Sequence, residues 1–154
     1  MRMGFGYPEG LRFECVRCAL CCGDTRSRKR CILLLQEDAR SISEAVFKPI
    51  EAFATKTRGH GLYVYKMRKT REGGKCVFLE GTDCSIYPKR PLVCRFYPFE
   101  LVTQKDRKPS FFCTGECPGV KRGRRLEREY FEDLFNLACE QLADGRRSLK
   151  RRLS

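Results

Sequence analysis

The chemistry of this sequence lies in its sulfur. Eleven cysteines occur in 154 residues, against a single histidine, His60. Four of them fall together as Cys15-x-x-Cys18-x-x-Cys21-Cys22. A Cys-x-x-Cys turn brings two sulfurs towards one metal while the intervening amides point at the thiolates. Cys15, Cys18 and Cys21 have the spacing of the first three ligands in a bacterial ferredoxin run, whose fourth cysteine comes from elsewhere. Cys76, Cys84 and Cys94 form a second group, and Cys113 and Cys117 a late pair. Buried structural thiols need no such spacing, so metal ligation is the expected use. A histidine-rich hydrolytic zinc site is not expected.

Disulfides are the competing use of many cysteines in a small chain. The count is odd, and Cys21 and Cys22 are adjacent, which seldom satisfies disulfide geometry. The N-terminal stretch has no basic segment followed by an apolar one, so no export signal is read and a cytoplasmic, reducing setting is expected. The longest apolar run, Cys31 to Leu35, is far too short to span a membrane. The formal net charge is +13. Eight thiolates on two metal sites would leave the chain basic, at about +9. Attraction to an acidic partner, including nucleic acid, therefore stays open, with Lys121-Arg122-Gly123-Arg124-Arg125 and the basic C-terminal stretch as contacts.

The elements that must carry these sulfurs are short. Leu, Ile, Val and Phe make up about a quarter of the chain, a thin core that gains from a metal staple. Ala39, Ile42 and Val46 lie at helical spacing behind Gln36, Glu37 and Asp38. Pro49 is expected to open a short helix burying Ile50 and Phe53. Leu62 to Met67 alternates as a strand, Gly73-Gly74 reads as a turn, and Leu101 to Phe112 as a hairpin turning at Lys105 to Lys108. A last helix runs from about Arg125 to Ala143, with Gly145 as its terminator. The expected fold class is α+β: one small, irregular, metal-stapled domain over 1–145 with a few helices and a short hairpin. A basic, disordered tail follows over 146–154.

Several motifs fall in a fixed order. Phe13 precedes Cys15 by two residues, and Cys76-Val77-Phe78-Leu79 and Cys84-Ser85-Ile86-Tyr87 come next. Then come Arg90-Pro91, Cys94-Arg95-Phe96-Tyr97-Pro98-Phe99 and Cys117-Pro118-Gly119. Over roughly 13 to 123 the chain resembles the YkgJ-like CxxCxxCC cysteine-cluster family, a zinc- or iron-chelating domain. The resemblance implies chelation by about eight cysteines, most often as iron–sulfur. The same cluster occurs in flagellin lysine N-methylases beside additional sequence. No glycine-rich nucleotide loop appears here, so whether the chain is an enzyme stays open.

The expected ligands are Cys15, Cys18, Cys21, Cys22, Cys76, Cys84, Cys94 and Cys117, with Cys113 a spare or an alternative to Cys117. The expected cofactor is a [4Fe–4S] cluster, with zinc as the alternative. Adjacent residues of extended backbone point in opposite directions, so Cys21 and Cys22 are expected on different metal sites. Arg90 and Arg95 either balance thiolate charge or pair carboxylates. Phe78, Leu79, Ile86, Tyr87 and Phe99 are expected as a dry shell. Cys31, Cys139 and His60 are read as non-ligands. Three functions fit: a redox or cluster-handling protein, a structural zinc protein binding nucleic acid, and the metal-bearing subunit of a larger enzyme.

Overall fold

The computed structural model describes residues 4–153. It is a mixed α+β fold of three helices and small antiparallel strand pairs. In order come β1 (Arg12–Phe13), β2 (Leu33–Leu34), α1 (Gln36–Val46), β3 (Ala54–Lys56) and β4 (Tyr65–Met67). Then follow β5 (Leu79–Glu80), β6 (Asp83–Cys84), α2 (Leu92–Phe96), β7 (Phe99–Val102), β8 (Ser110–Cys113), β9 (Val120–Arg125) and α3 (Arg128–Leu153). The strands pair β1 with β9, β5 with β6 and β7 with β8, and β4 lies between β2 and β3. No described helix is long and apolar enough to cross a membrane.

Two apolar cores divide the molecule. The first gathers Leu34, Ala39, Ile42, Phe53, Tyr65 and Met67 around α1 and the three-stranded sheet, and it takes in buried Cys76. Cys22, Cys84 and Cys94 pack against this core. The second is aromatic, with Phe5, Phe96, Phe99, Phe111, Phe131 and Phe135 between α3 and the β7–β8 hairpin. Its rings meet edge to face or stacked, as Phe99 and Phe131 do at 5.1 Å. Cys113 packs against this second core. The thin apolar content is thus spread over two small cores, each with cysteines at its edge.

One buried carboxylate joins the halves. Asp38, in the first turn of α1, accepts the Leu35 N–H at 2.9 Å and the Leu92 N–H at 3.3 Å. Leu92 opens α2, which carries Cys94, so Asp38 fixes where that cysteine sits. Burial pushes its carboxyl up from 3.8 to about 6, against the pull of the two amides and of Arg95. The folded chain therefore holds this proton more tightly than the unfolded chain. The contribution is complete below pH 3.8 and is lost as pH rises through about 6. Asp38→Ala should lower stability by roughly 2–4 kcal/mol, since two buried N–H groups lose their acceptor. Denaturant titrations from pH 4 to 7 should also show that the variant lacks the parent's decline over that range.

The sequence reading and the structure differ in particular places. The strand expected over Leu62 to Met67 is only Tyr65–Met67. The hairpin begins earlier than expected, at Phe99. Pro49 leads into a 3-10 turn, Ile50–Ala52, after which Phe53 is buried while Ile50 is only partly covered. Gly145 does not end the last helix, which continues to Leu153; Ser154 lies outside the described residues. One glycine costs a helix about 1 kcal/mol, and the Asp144–Arg147 ion pair spans it. Its backbone also lies close to Leu35 and Leu62.

Candidate metal centre

Cys15 to Cys22 form an irregular loop that closes in a 3-10 turn, Leu20–Cys22. Arg17 (φ 54°) and Ala19 (φ 63°) both take the left-handed conformation, flanking Cys18. Such strain in residues with side chains collects at functional sites. The turn is pinned from outside. The Cys76 N–H donates to the Cys22 carbonyl at 2.6 Å, and the Asp24 N–H to the Gly74 carbonyl at 3.1 Å. Gly74 is left-handed (φ 58°) and lies so close to the Asp24 carboxylate that a side chain there would collide with it. This is the physical content of the Gly73-Gly74 turn.

Within the turn the two adjacent sulfurs do not diverge. Cys21 Sγ and Cys22 Sγ lie 3.8 Å apart. The backbone is a tight turn rather than a strand, so the expected opposition of neighbouring side chains fails. A hydrogen bond from Cys22 lowers the Cys21 thiol to about 6, helped by Arg30, while burial opposes it. The same bond and burial raise Cys22.

Around this pair stand Cys76, Cys84 and Cys94. Each is raised first by burial, and Cys94 is pushed up to about 12. Negative charge on Cys21 would raise all three further, and Cys94 also feels Cys76 and Cys84. These five thiols form an inner set.

The remaining candidates form an outer set. Cys117 is raised by burial and also by the nearby Cys18 and Cys15, and Cys113 by burial and by Cys117. Cys15 and Cys18 are exposed; Cys113 and Cys117 are half-buried. The chain closes this set with the β1–β9 pair, where the Glu14 N–H donates to the Gly119 carbonyl at 3.1 Å. Cys31 and Cys139 are exposed, and neither is among the groups that shift Cys21, Cys22, Cys76, Cys84, Cys94, Cys113 or Cys117. Cys31→Ala and Cys139→Ala should each leave metal per chain, measured by mass spectrometry, unchanged.

Tyr97 lies between the sets. Burial raises its phenol first, and both Cys117 and Cys21 add to the rise while Arg28 opposes it. The guanidinium groups of Arg28 and Arg30 lie 5.8 and 5.4 Å from its ring centre. Arg28 donates to the Leu20 carbonyl at 3.2 Å and pairs with Glu116, next to Cys117, at 3.2 Å. Arg30 donates from Nε to the Cys21 carbonyl at 3.1 Å. Arg28 therefore ties the Cys21-Cys22 turn to the late cysteine loop. Neither arginine nor Glu116 stood out in the sequence. Two arginines of a basic stretch and a lone glutamate 86 residues further on give no signal until their partners are known. Tyr97 does lie in the Cys-Arg-x-Tyr-Pro-Phe motif, and that was its one visible mark.

Arg90 and Arg95 take different positions. The charge of Arg90 lowers Cys84 and Cys21, and its guanidinium lies 3.8 Å from the Tyr87 ring centre. Arg95 donates to the carbonyls of Arg90 (2.9 Å) and Pro88 (3.3 Å), bracing the loop before Cys94.

Among the described residues, no three His, Cys, Asp or Glu side chains form a ready-made sphere for a single ion. The donor chemistry nevertheless fits a thiolate-held metal. Backbone amides work against burial at these thiols: those of Phe78 and Leu79 lower Cys76, that of Ile86 lowers Cys84, and those of Gly119 and Val120 lower Cys117. Amides two and three residues ahead of a sulfur are the groups that stabilise a metal-bound thiolate. Arg30 Nη2 is also buried without a hydrogen-bond partner among the described residues, beside Cys21 and Cys94. Soft thiolates select zinc, copper(I) or iron–sulfur clusters.

Residues 14–118 match the CxxCxxCC family, described as a "Putative zinc- or iron-chelating domain". Two archaeal relatives come from Methanocaldococcus jannaschii. "Uncharacterized protein MJ0939" is 28% identical over 149 residues, covering 86% of this chain and 49% of the relative. "Uncharacterized protein MJ0661" is 26% identical over 133 residues, covering 82% of this chain and 68% of the relative. The chain thus spans about half the length of the first of these curated relatives. No solved structure matches.

Proposed function

The chain belongs to the CxxCxxCC family of zinc- or iron-chelating domains, and from that premise we propose that it is an iron–sulfur protein that passes electrons. Its inner ligands come from Cys21, Cys22, Cys76, Cys84 and Cys94, and its outer ligands are Cys15, Cys18, Cys113 and Cys117. When bound, the clusters would supply one-electron redox chemistry. The chain's own residues supply the rest. Nine thiols give the ligands, the amides of Phe78, Leu79, Ile86, Gly119 and Val120 steady the sulfurs, and Arg30 and Arg90 offset thiolate charge. The first core excludes water from the inner set.

One observation carries this reading: cysteines from three distant parts of the sequence come together, Cys22, Cys76, Cys84 and Cys94 around the first core and Cys15, Cys18, Cys113 and Cys117 at the rim. Thiol-only donor sets and a ferredoxin-like first run favour iron–sulfur over a histidine-containing zinc site. Tyr97, flanked by two arginines, lies between the groups and suits a role in coupling them. Purification without oxygen should give brown protein containing iron and acid-labile sulfide. A colourless preparation with stoichiometric zinc, which gains no colour on reconstitution with iron and sulfide, would contradict it.

A further inference from the structure

The outer cysteine set lies at one end of the β1–β9 ribbon, and that ribbon has an unusual register. Phe13 faces Val120 while the next residue back, Arg12, faces Arg125. The four residues Lys121 to Arg124 therefore bulge out of the pairing with no partner on β1. Lys121 (φ 74°) and Gly123 (φ 73°) both take left-handed backbone to make the excursion. For lysine that conformation costs about 1 kcal/mol or more. The bulge sequence, Lys-Arg-Gly-Arg, is exposed throughout. Directly behind it Arg12 and Arg125 stand opposite one another, a like-charged cross-strand pair that weakens a ribbon and that Glu127, 4.0 Å from Arg125, offsets only at its exposed edge. Gly123 fits because it lies on Glu14, where a side chain would collide with the Glu14 Cβ. Strained backbone, an unpaired insertion and opposed cations all work against local stability, and all three concentrate cations in one place.

That place adjoins exposed sulfur. Cys15 follows β1 by two residues and Cys117 precedes β9 by three, so both strands run into the outer set at the same end of the ribbon. Cys15 and Cys18 are exposed, and Arg17 between them pairs with Asp83 at 3.0 Å, which leaves the bulge residues as the cations beside this sulfur. We infer that the bulged β1–β9 ribbon is the docking face for an acidic electron-carrier protein, which exchanges one electron with the outer centre. The inference rests on the iron–sulfur reading above. In the step, the reduced outer centre loses one electron and the carrier gains it; no bond forms or breaks. Charge of this density at the rim of a redox site raises the encounter rate with anions and weakens it with cations. No aromatic side chain stands among the bulge residues to stack on bases, so an acidic protein face fits better than single-stranded nucleic acid.

The test uses iron-loaded, reduced chain and two one-electron oxidants of opposite charge, ferricyanide and tris(phenanthroline)cobalt(III), in stopped flow. The ferricyanide rate should fall by about tenfold or more between low salt and about 0.5 M salt, while the cobalt rate should not fall. The double variant Arg122→Glu with Arg124→Glu should lower the ferricyanide rate at low salt by about tenfold and keep the parent's iron and sulfide content. Equal salt dependence for both oxidants in the parent overturns the inference, whether or not the variant folds. An acidic flavodoxin, as probe protein, should bind the parent and bind the variant more weakly. A DNA duplex of about 20 base pairs bound more tightly than flavodoxin at about 0.15 M salt would overturn the inference in favour of nucleic acid. Protein without iron removes the iron–sulfur reading and the inference with it. Brown protein with no charge preference removes the docking inference alone.

Discussion

Serine at Cys94 should cost the chain its fold, whereas serine at Cys117 should not. Cys94 lies on α2, packed against the first core among Cys76, Cys84 and Cys21. Cys117 lies half-exposed on a loop at the rim. A thiolate-bound metal contributes on the order of 10 kcal/mol to a small domain, comparable to the whole stability of such a domain. Losing the inner site therefore removes the staple that joins residues 21–22, 76, 84 and 94. Cys94→Ser should be insoluble or cut rapidly by protease. Cys117→Ser should stay soluble and resist protease nearly as well as the parent, because the inner site is untouched. Equal protease resistance in both variants and the parent would mean that the inner site does not hold the fold.

The second large effect is expected at Gly119. A Cβ there would collide with the Glu14 carbonyl oxygen and lie 3.2 Å from the Phe13 ring. The nearest obstacle is backbone, so no rotamer change relieves it. The strands must separate, which breaks the Glu14 N–H bond to Gly119 and moves the Gly119 amide that lowers the Cys117 thiol. Overpacking of this kind costs roughly 1–3 kcal/mol. The larger consequence is for the outer set, because Cys15 and Cys117 are held at their spacing by this one clamp. Gly119→Ala should lose the metal of the outer set and keep that of the inner set. The comparison with Gly115→Ala is direct, since a Cβ at Gly115 meets nothing within 4 Å and should change neither.

What could be read from the sequence was the chemistry, and what could not was its grouping. The spacing of Cys15, Cys18, Cys21 and Cys22 and the motifs around Cys76, Cys84 and Cys94 named the sulfurs, because ligand spacing is a local property. Which sulfurs neighbour which depends on contacts between distant segments, such as the Cys76 amide on the Cys22 carbonyl. The ferredoxin-like run is an example. Its first two cysteines lie in the outer set and its third in the inner set. Cys113 reads as a spare in the sequence, yet it lies beside Cys117 at the end of β8. The opposition expected of Cys21 and Cys22 assumed extended backbone, and left-handed Ala19 turns the chain into a 3-10 turn instead. Helix α1 was legible because Ala39 and Ile42 carry its buried face. The end of α3 was not, since a glycine within strong helix formers weakens a helix without ending it.

On the proposed reading, two separate thiolate sets each hold an iron–sulfur centre. The most direct test measures iron and acid-labile sulfide per chain in anaerobically prepared parent and in the double variant Cys15→Ser with Cys117→Ser. The variant should keep about half of the parent's iron and sulfide, held by the inner set. A variant with all of the parent's iron, or with none, would contradict that reading.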